Sequence, residues 1–134
     1  MRTFSVIAAA VLTGGLVATA AAAAPTAAGV CKASPVAGSA LHGPVLHVPD
    51  GQTICVARGF DPSRWIPLRL GDAPMATSRA TLMAVAFGKD VDCVVDRDLS
   101  AHCTVEGRSI GAAAAEPDAI AAGQAWREAS PLAP

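Results

Sequence analysis

Four cysteines, three histidines and several serines are the side chains of this chain best suited to do chemistry. The cysteines are Cys31, Cys55, Cys93 and Cys103, and the histidines are His42, His47 and His102. Thiols bind soft metals or close disulfides, and spacing separates the two uses. No C-x-x-C pair occurs, so His102 beside Cys103 makes a poor start for a zinc site. Cys93 and Cys103 instead flank two expected adjacent strands, where a hairpin-like pair sets them opposite each other. Cys31 then pairs with Cys55, tying an N-terminal arm to an early strand, and both bridges suit an oxidising compartment. Chain entropy assigns roughly 3 kcal/mol to the shorter loop and roughly 3.5 kcal/mol to the longer. Such staples matter in a domain too small for a large core. Ser63, Ser78, Ser100 and Ser109 are available as nucleophiles, but no G-x-S-x-G or comparable setting surrounds them. His47 reads as an exposed strand residue and His42-Gly43 as loop.

The elements that must position these residues begin after a stretch with the pattern of an export signal. Arg2 supplies a positive start, Phe4 to Val17 an uncharged apolar run, and Ala18 to Ala24 several small-residue cleavage sites. Residues 1–23 are therefore expected to be a signal peptide and the mature protein periplasmic or extracellular. No later segment is apolar enough to span a bilayer. Residues 24–40, rich in Ala, Gly, Ser and Pro, read as a flexible linker. One domain follows over residues 41–127, with a tail over 128–134. Arg2 aside, nine Lys and Arg face eleven Asp and Glu. There is no basic run, no Tyr, and only two Phe follow the signal. Phosphate contacts dominate nucleic-acid affinity and stacking needs aromatic platforms, so nucleic acid is not the favoured partner. A monomer is expected.

Within the domain, Val45-Leu46-His47-Val48 and Thr53-Ile54-Cys55-Val56 are β-branched runs around the turn Pro49-Asp50-Gly51-Gln52. Trp65 to Leu70 alternates, with Ile66, Leu68 and Leu70 on one apolar face, and Pro67 suits a strand edge or start. Ala76 to Phe87 switches to helical period, with Ala80, Met83, Ala84 and Phe87 as its stripe, widened by Leu82 and Val85. Gly88 ends it. Val91 to Val95 and Ala101 to Val105 supply fourth and fifth strands, turned by Glu106-Gly107 toward Arg108-Ser109-Ile110. Gly111 to Trp126 is helical, broken at Glu116-Pro117. An α+β, mainly β, five-stranded OB-fold barrel with two helices fits this order. The face made by its second and third strands would expose Arg58, Arg64 or Arg69.

Five blocks carry a resemblance: Val48-Pro49-Asp50-Gly51-Gln52-Thr53-Ile54; Leu68-Arg69-Leu70-Gly71-Asp72-Ala73-Pro74-Met75; Gly88-Lys89-Asp90-Val91-Asp92-Cys93; Cys103 to Gly111; and Ala122-Gly123-Gln124-Ala125-Trp126-Arg127. In this order the chain resembles the staphylococcal nuclease-like (thermonuclease) family over roughly residues 46–127. The resemblance implies calcium-dependent phosphodiester hydrolysis, with carboxylates holding the ion, a glutamate as base and two arginines at the phosphoryl group. A hard cation needs several oxygens and an anionic transition state needs fixed positive donors.

Residue by residue, the implied machinery is incomplete. Asp50 and Asp72 match the metal-ligating acids, with a hairpin-turn role competing for Asp50 and a helix-capping role for Asp72. Gln52 replaces the second acid of the turn, so calcium, if held, is expected to bind weakly. Met75 stands in the glutamate position, and a thioether cannot take a proton from water. Arg69 matches the first catalytic arginine, although the loop between Arg69 and Asp72 is two residues short. The Tyr-Gly-Arg element that carries the second arginine is replaced by Asp96-Arg97-Asp98-Leu99-Ser100-Ala101-His102-Cys103, where Arg97 reads as a turn charge paired with a flanking acid. The expectation is an exported, catalytically inactive thermonuclease-like module that binds a ligand or serves structure. The alternative is a weak calcium-dependent phosphodiesterase on DNA or RNA.

Overall fold

The computed structural model describes residues 30–130, which places the expected signal peptide and residues 131–134 outside the described structure. The chain runs β1 (Ala40–His47), β2 (Thr53–Val56), a 3-10 turn (Pro62–Arg64), β3 (Ile66–Leu70), α1 (Arg79–Ala86), β4 (Asp90–Val95), β5 (Ser100–Val105), β6 (Arg108–Ser109), α2 (Ile110–Ala114) and α3 (Pro117–Ala129). The fold is α+β and mainly sheet, with six strands where five were expected. β6 is the two-residue stretch beyond Glu106-Gly107, held to β5 through Thr104–Ser109 and Val105–Arg108 pairs. Both turn residues have positive φ, the geometry of a tight two-residue hairpin. Pro117 splits the last helical region into α2 and α3, since Pro is tolerated at the start of a helix and not inside one.

The sheet order is β3-β2-β1-β4-β5-β6, and β3 also pairs with β5 in parallel at Arg69–Ser100 and Leu70–Ala101. The other ladders are antiparallel. Pro67 lies where β3 pairs only with β2, so its missing N–H faces no second strand. β1 begins five residues earlier than the Val45–Val48 run suggests, and His42-Gly43 lie in the strand, paired with Asp92 and Val91. The β4 ladder overrides the poor strand propensity of Gly43 and Pro44. A register shift between Val45 and His47 lets Val48 also turn inward. His47, opposite Cys55, is half-buried, not exposed.

Inward side chains alternate as the sequence pattern requires. Val91, Cys93 and Val95 on β4, Ala101, Cys103 and Val105 on β5, and Leu68 and Leu70 on β3 are all buried. β2 is different: Ile54, Cys55 and Val56 are all inaccessible. Ile54 and Val56 join the main core, while Cys55 points to the opposite side and bonds to Cys31. The described part of the arm before β1, residues 30–39, is therefore docked, where a flexible linker was expected over 24–40. Cys31 N–H donates to the Pro62 carbonyl (2.8 Å), Ala33 N–H to Trp65 (3.2 Å) and Gly38 N–H to Val95 (2.7 Å). The second bridge, Cys93–Cys103, joins directly opposed residues of β4 and β5, with Cα atoms 4.1 Å apart. Both pairings are those expected from the strand positions.

α1 is capped by Ser78, whose hydroxyl accepts from Thr81 N–H, and followed by Gly88 at φ 75°. Its buried residues are Ala80, Thr81, Leu82, Val85 and Ala86, while Ala84 and Phe87 are exposed. The expected stripe is thus rotated by about one position. Two partners cause this: the sheet core takes Leu82, Val85 and Ala86, and α3 lies against Thr81. α3 approaches through Gly123, where an added Cβ would stand 2.6 Å from the Thr81 amide nitrogen and 2.7 Å from its Cα.

Gly-to-Ala substitution inside a helix ordinarily stabilises by up to about 1 kcal/mol. Here the sign should reverse, because backbone of α1 must move to admit the methyl group. Gly123→Ala is expected to destabilise by at least about 1–3 kcal/mol, the usual cost of overpacking, read by urea denaturation. A variant as stable as the wild type, or more so, would contradict the close α1–α3 approach.

Candidate functional site

Three of the residues singled out by sequence, Gln52, Arg69 and Met75, line one open cleft of about 400 Å³. Its walls come from the end of β3 and the following loop (Arg69, Leu70, Gly71, Ala73, Met75), from the lead into β2 (Gln52), and from the β4–β5 hairpin (Asp96, Asp98, Ser100, His102). The parallel pairing of β3 with β5 makes this convergence, since Arg69 lies opposite Ser100. Arg69 is exposed and occupies the outward side of β3, while Leu68 and Leu70 fill the core.

Neither expected metal-binding carboxylate lines the cleft. Asp50 folds back on its own turn, where Oδ1 accepts from Gln52 N–H at 2.8 Å, an Asx-type turn. Gln52 Nε2 donates to the Pro74 carbonyl at 2.7 Å, stapling the β1–β2 turn to the loop before α1. Gly51 comes so close to that loop that a Cβ would lie 1.7 Å from the Thr77 carbonyl oxygen. Asp72 turns toward α2: Ser109 Oγ donates to Asp72 Oδ2, and Ser109 in turn accepts from Ala112 N–H at 3.2 Å as the α2 cap. Asp72 thus braces Ser109, the cap residue of α2, while Ser78 caps the helix after Pro74. Among the described residues, no three His, Cys, Asp or Glu side chains assemble as a metal-binding group. The donor set that calcium requires, several convergent oxygens, does not fit Asp50 and Asp72 as they are engaged here.

The carboxylates that do line the cleft come from the hairpin. Ser100 donates to Asp98 Oδ1 through Oγ (2.7 Å) and N–H (3.1 Å). These bonds, with the Arg69 guanidinium adding to them, hold the Asp98 carboxyl below its ordinary 3.8. His102 Nε2 and Asp96 Oδ2 lie 3.1 Å apart. Arg97, expected to pair with a flanking acid, pairs with neither: Asp96 faces His102 and Asp98 faces Ser100. Leu99 completes the turn at φ 66°, a left-handed conformation unusual for a branched residue. Met75 is 80% exposed at the rim. Ser100 and His102 were not read as cleft residues from sequence. The signal was available in the fifth strand, where Ala101, Cys103 and Val105 claim the inner face and leave Ser100, His102 and Thr104 outside.

Chemically, the cleft offers one guanidinium, two engaged carboxylates, an imidazole, an amide and a thioether. It can hold a small polar ligand through hydrogen bonds. Met75 contributes a thioether, which cannot accept a proton from water. Comparison of the chain with protein-family models, with curated proteins and with solved structures finds no match.

Two measurements check this geometry. If Asp72 acts through Ser109, the variants Asp72→Ala and Ser109→Ala should each lower stability by about 1 kcal/mol. Their double-mutant cycle should show coupling above about 0.5 kcal/mol, and strict additivity would exclude the contact. For Asp98, Ser100→Ala should raise the carboxyl pKa toward 3.8, followed by carbon-detected NMR titration. Because the folded-state value is depressed, this group's contribution is present above about pH 4 and lost as pH falls through the lowered pKa. The stability gap between wild type and Ser100→Ala should therefore close at acid pH and stay open at neutral pH.

Proposed function

We propose that this chain is an exported OB-type module related to the thermonucleases, and that it binds a ligand or serves structure without hydrolysing phosphodiesters. Support for the barrel comes from the ladder order, which leaves β3 through β2, β1, β4 and β5 and meets β3 again at Arg69–Ser100. The placement of α1 between β3 and β4 agrees with it. The two disulfides fit an oxidising, exported compartment. No helix among the described residues is long and apolar enough to cross a membrane.

The observation that carries the inactive reading is Met75 at the cleft rim, beside a surviving Arg69. Losing a positioned base costs about 10²–10⁴ in rate. Losing one preorganised donor costs roughly a further 10²–10³, and no arginine of the β4–β5 hairpin lines the cleft to replace it. Asp50 and Asp72 are engaged in turn and cap contacts and do not line the cleft, which argues against a converged calcium site there. The competing reading, a weak calcium-dependent phosphodiesterase, is favoured by Arg69 alone.

The test is cleavage of single-stranded DNA with and without calcium. Wild type and Met75→Glu should both be inactive, since the glutamate would still lack a second arginine and a converged metal site. Activity should require Met75→Glu together with Gln52→Asp, a restored Arg69–Asp72 loop and a grafted arginine-bearing hairpin. Robust calcium-dependent cleavage by the wild type would refute the proposal. Robust cleavage by Met75→Glu alone would refute the part assigned to the loops.

A further inference from the structure

The loop between β2 and β3 presents a second surface, at the end of these strands opposite Gln52 and Leu70 of the cleft. Residues Arg58 to Arg64 form an unbroken run of exposed positions, and the Phe60 side chain at its centre is fully exposed. An aromatic ring that touches nothing of its own fold buries no apolar area and contributes nothing to the core. The loop around it is nevertheless fixed. Asp61 caps the 3-10 turn by accepting from Ser63 N–H (3.0 Å) and Oγ (2.7 Å). Trp65 Nε1 donates to the Gly59 carbonyl at 3.0 Å, and the Pro62 carbonyl accepts from both Trp65 and Cys31. The Cys31–Cys55 bridge ties the arm, and with it Lys32, alongside.

Charge is distributed unevenly in the same sense. Lys32, Arg58 and Arg64 surround the loop with Asp61 as its only acid, and Asp61 is already engaged by Ser63. From Arg69 to Ser130 acids outnumber basic residues. A rigid tip with one apolar ring among cations, on an otherwise acidic protein, fits a planar anionic surface. A strand of nucleic acid would ask for several stacking platforms along a groove, and the other aromatic here, Trp65, is half-buried with its N–H committed. The internal hydrogen bonds of Gly59, Asp61 and Pro62 also lower the cost of bringing this backbone into a headgroup layer. We propose that the β2–β3 loop docks the protein on anionic lipid bilayers, with Phe60 entering the headgroup–acyl boundary and Lys32, Arg58 and Arg64 on the lipid phosphates.

The oxidised protein recovered from an exporting host would be sedimented with phosphatidylcholine vesicles, with and without phosphatidylglycerol. Wild type and variants share residues 1–29, so differences among them report the loop. Binding is expected only with phosphatidylglycerol, falling as salt rises. Arg58→Ala and Arg64→Ala should each lower partitioning about fivefold, and Phe60→Ser roughly tenfold. Phe60→Leu should keep it, because burial needs an apolar side chain and stacking needs a ring. Equal binding to both vesicle types, or wild-type binding by Phe60→Ser, would overturn the proposal. So would tight binding of a single-stranded oligonucleotide that is lost in both Phe60→Ser and Phe60→Leu while vesicles are ignored.

Discussion

Cys93 and Cys103 sit opposite each other in the middle of the β4–β5 ladder, inside a core that, among the described residues, contains no buried aromatic side chain. The largest fully buried side chains are Ile54, Leu68, Leu82 and Ile110, and the rest are mostly Val and Ala. Small aliphatic side chains bury little area each, so a domain of this length gains only a modest margin over chain entropy. A covalent cross-link at the centre of the sheet shifts that balance by restricting the unfolded chain. It also fixes the register of the hairpin that carries Asp96, Asp98, Ser100 and His102. A slip of one residue would turn these polar side chains inward and Ala101, Cys103 and Val105 outward. The chemistry available at the cleft depends on this one register.

The second bridge acts at the periphery by a different route. Cys31–Cys55 closes the outer side of β2, which would otherwise present a buried-type strand to solvent. It brings the arm against the β2–β3 loop, and the same contacts fix Gly59 and Pro62 around Phe60. One staple therefore organises the core and the cleft hairpin, and the other organises the exposed tip. The two surfaces differ in kind: the cleft is polar and mostly self-satisfied, while the tip pairs an unsatisfied aromatic ring with free cations.

Near the cleft, Asp50, Gln52 and Asp72 serve as connectors between loops. Asp50 closes a turn, Gln52 joins that turn to the loop before α1, and Asp72 braces Ser109 at the start of α2. Each polar group spends its hydrogen-bonding capacity on backbone or a neighbouring side chain. A carboxylate so engaged gains stability from its donors and loses freedom to converge on an ion. Together these contacts hold the β1–β2 turn, the loop before α1 and the start of α2 in place.

Local patterns were enough to set the strands β2 to β5, the end of α1 at Gly88, the break before Pro117 and the Cys93–Cys103 pairing across a hairpin. Each rests on a short-range rule, such as alternation, capping or the absence of a proline N–H, that holds wherever the chain is placed. The length of β1 through Gly43 and Pro44, the rotation of the α1 stripe, the sixth strand and the docking of the arm were decided by tertiary partners. A ladder with β4, the approach of Gly123 and a bridge to Cys55 outweigh propensities worth only tenths of a kcal/mol per residue. The same division holds at the cleft. Sequence identified Arg69, Gln52 and Met75 as its residues, but only the parallel β3–β5 pairing brings Ser100 and His102 beside them. That pairing joins residues about thirty positions apart, and no local rule reaches so far.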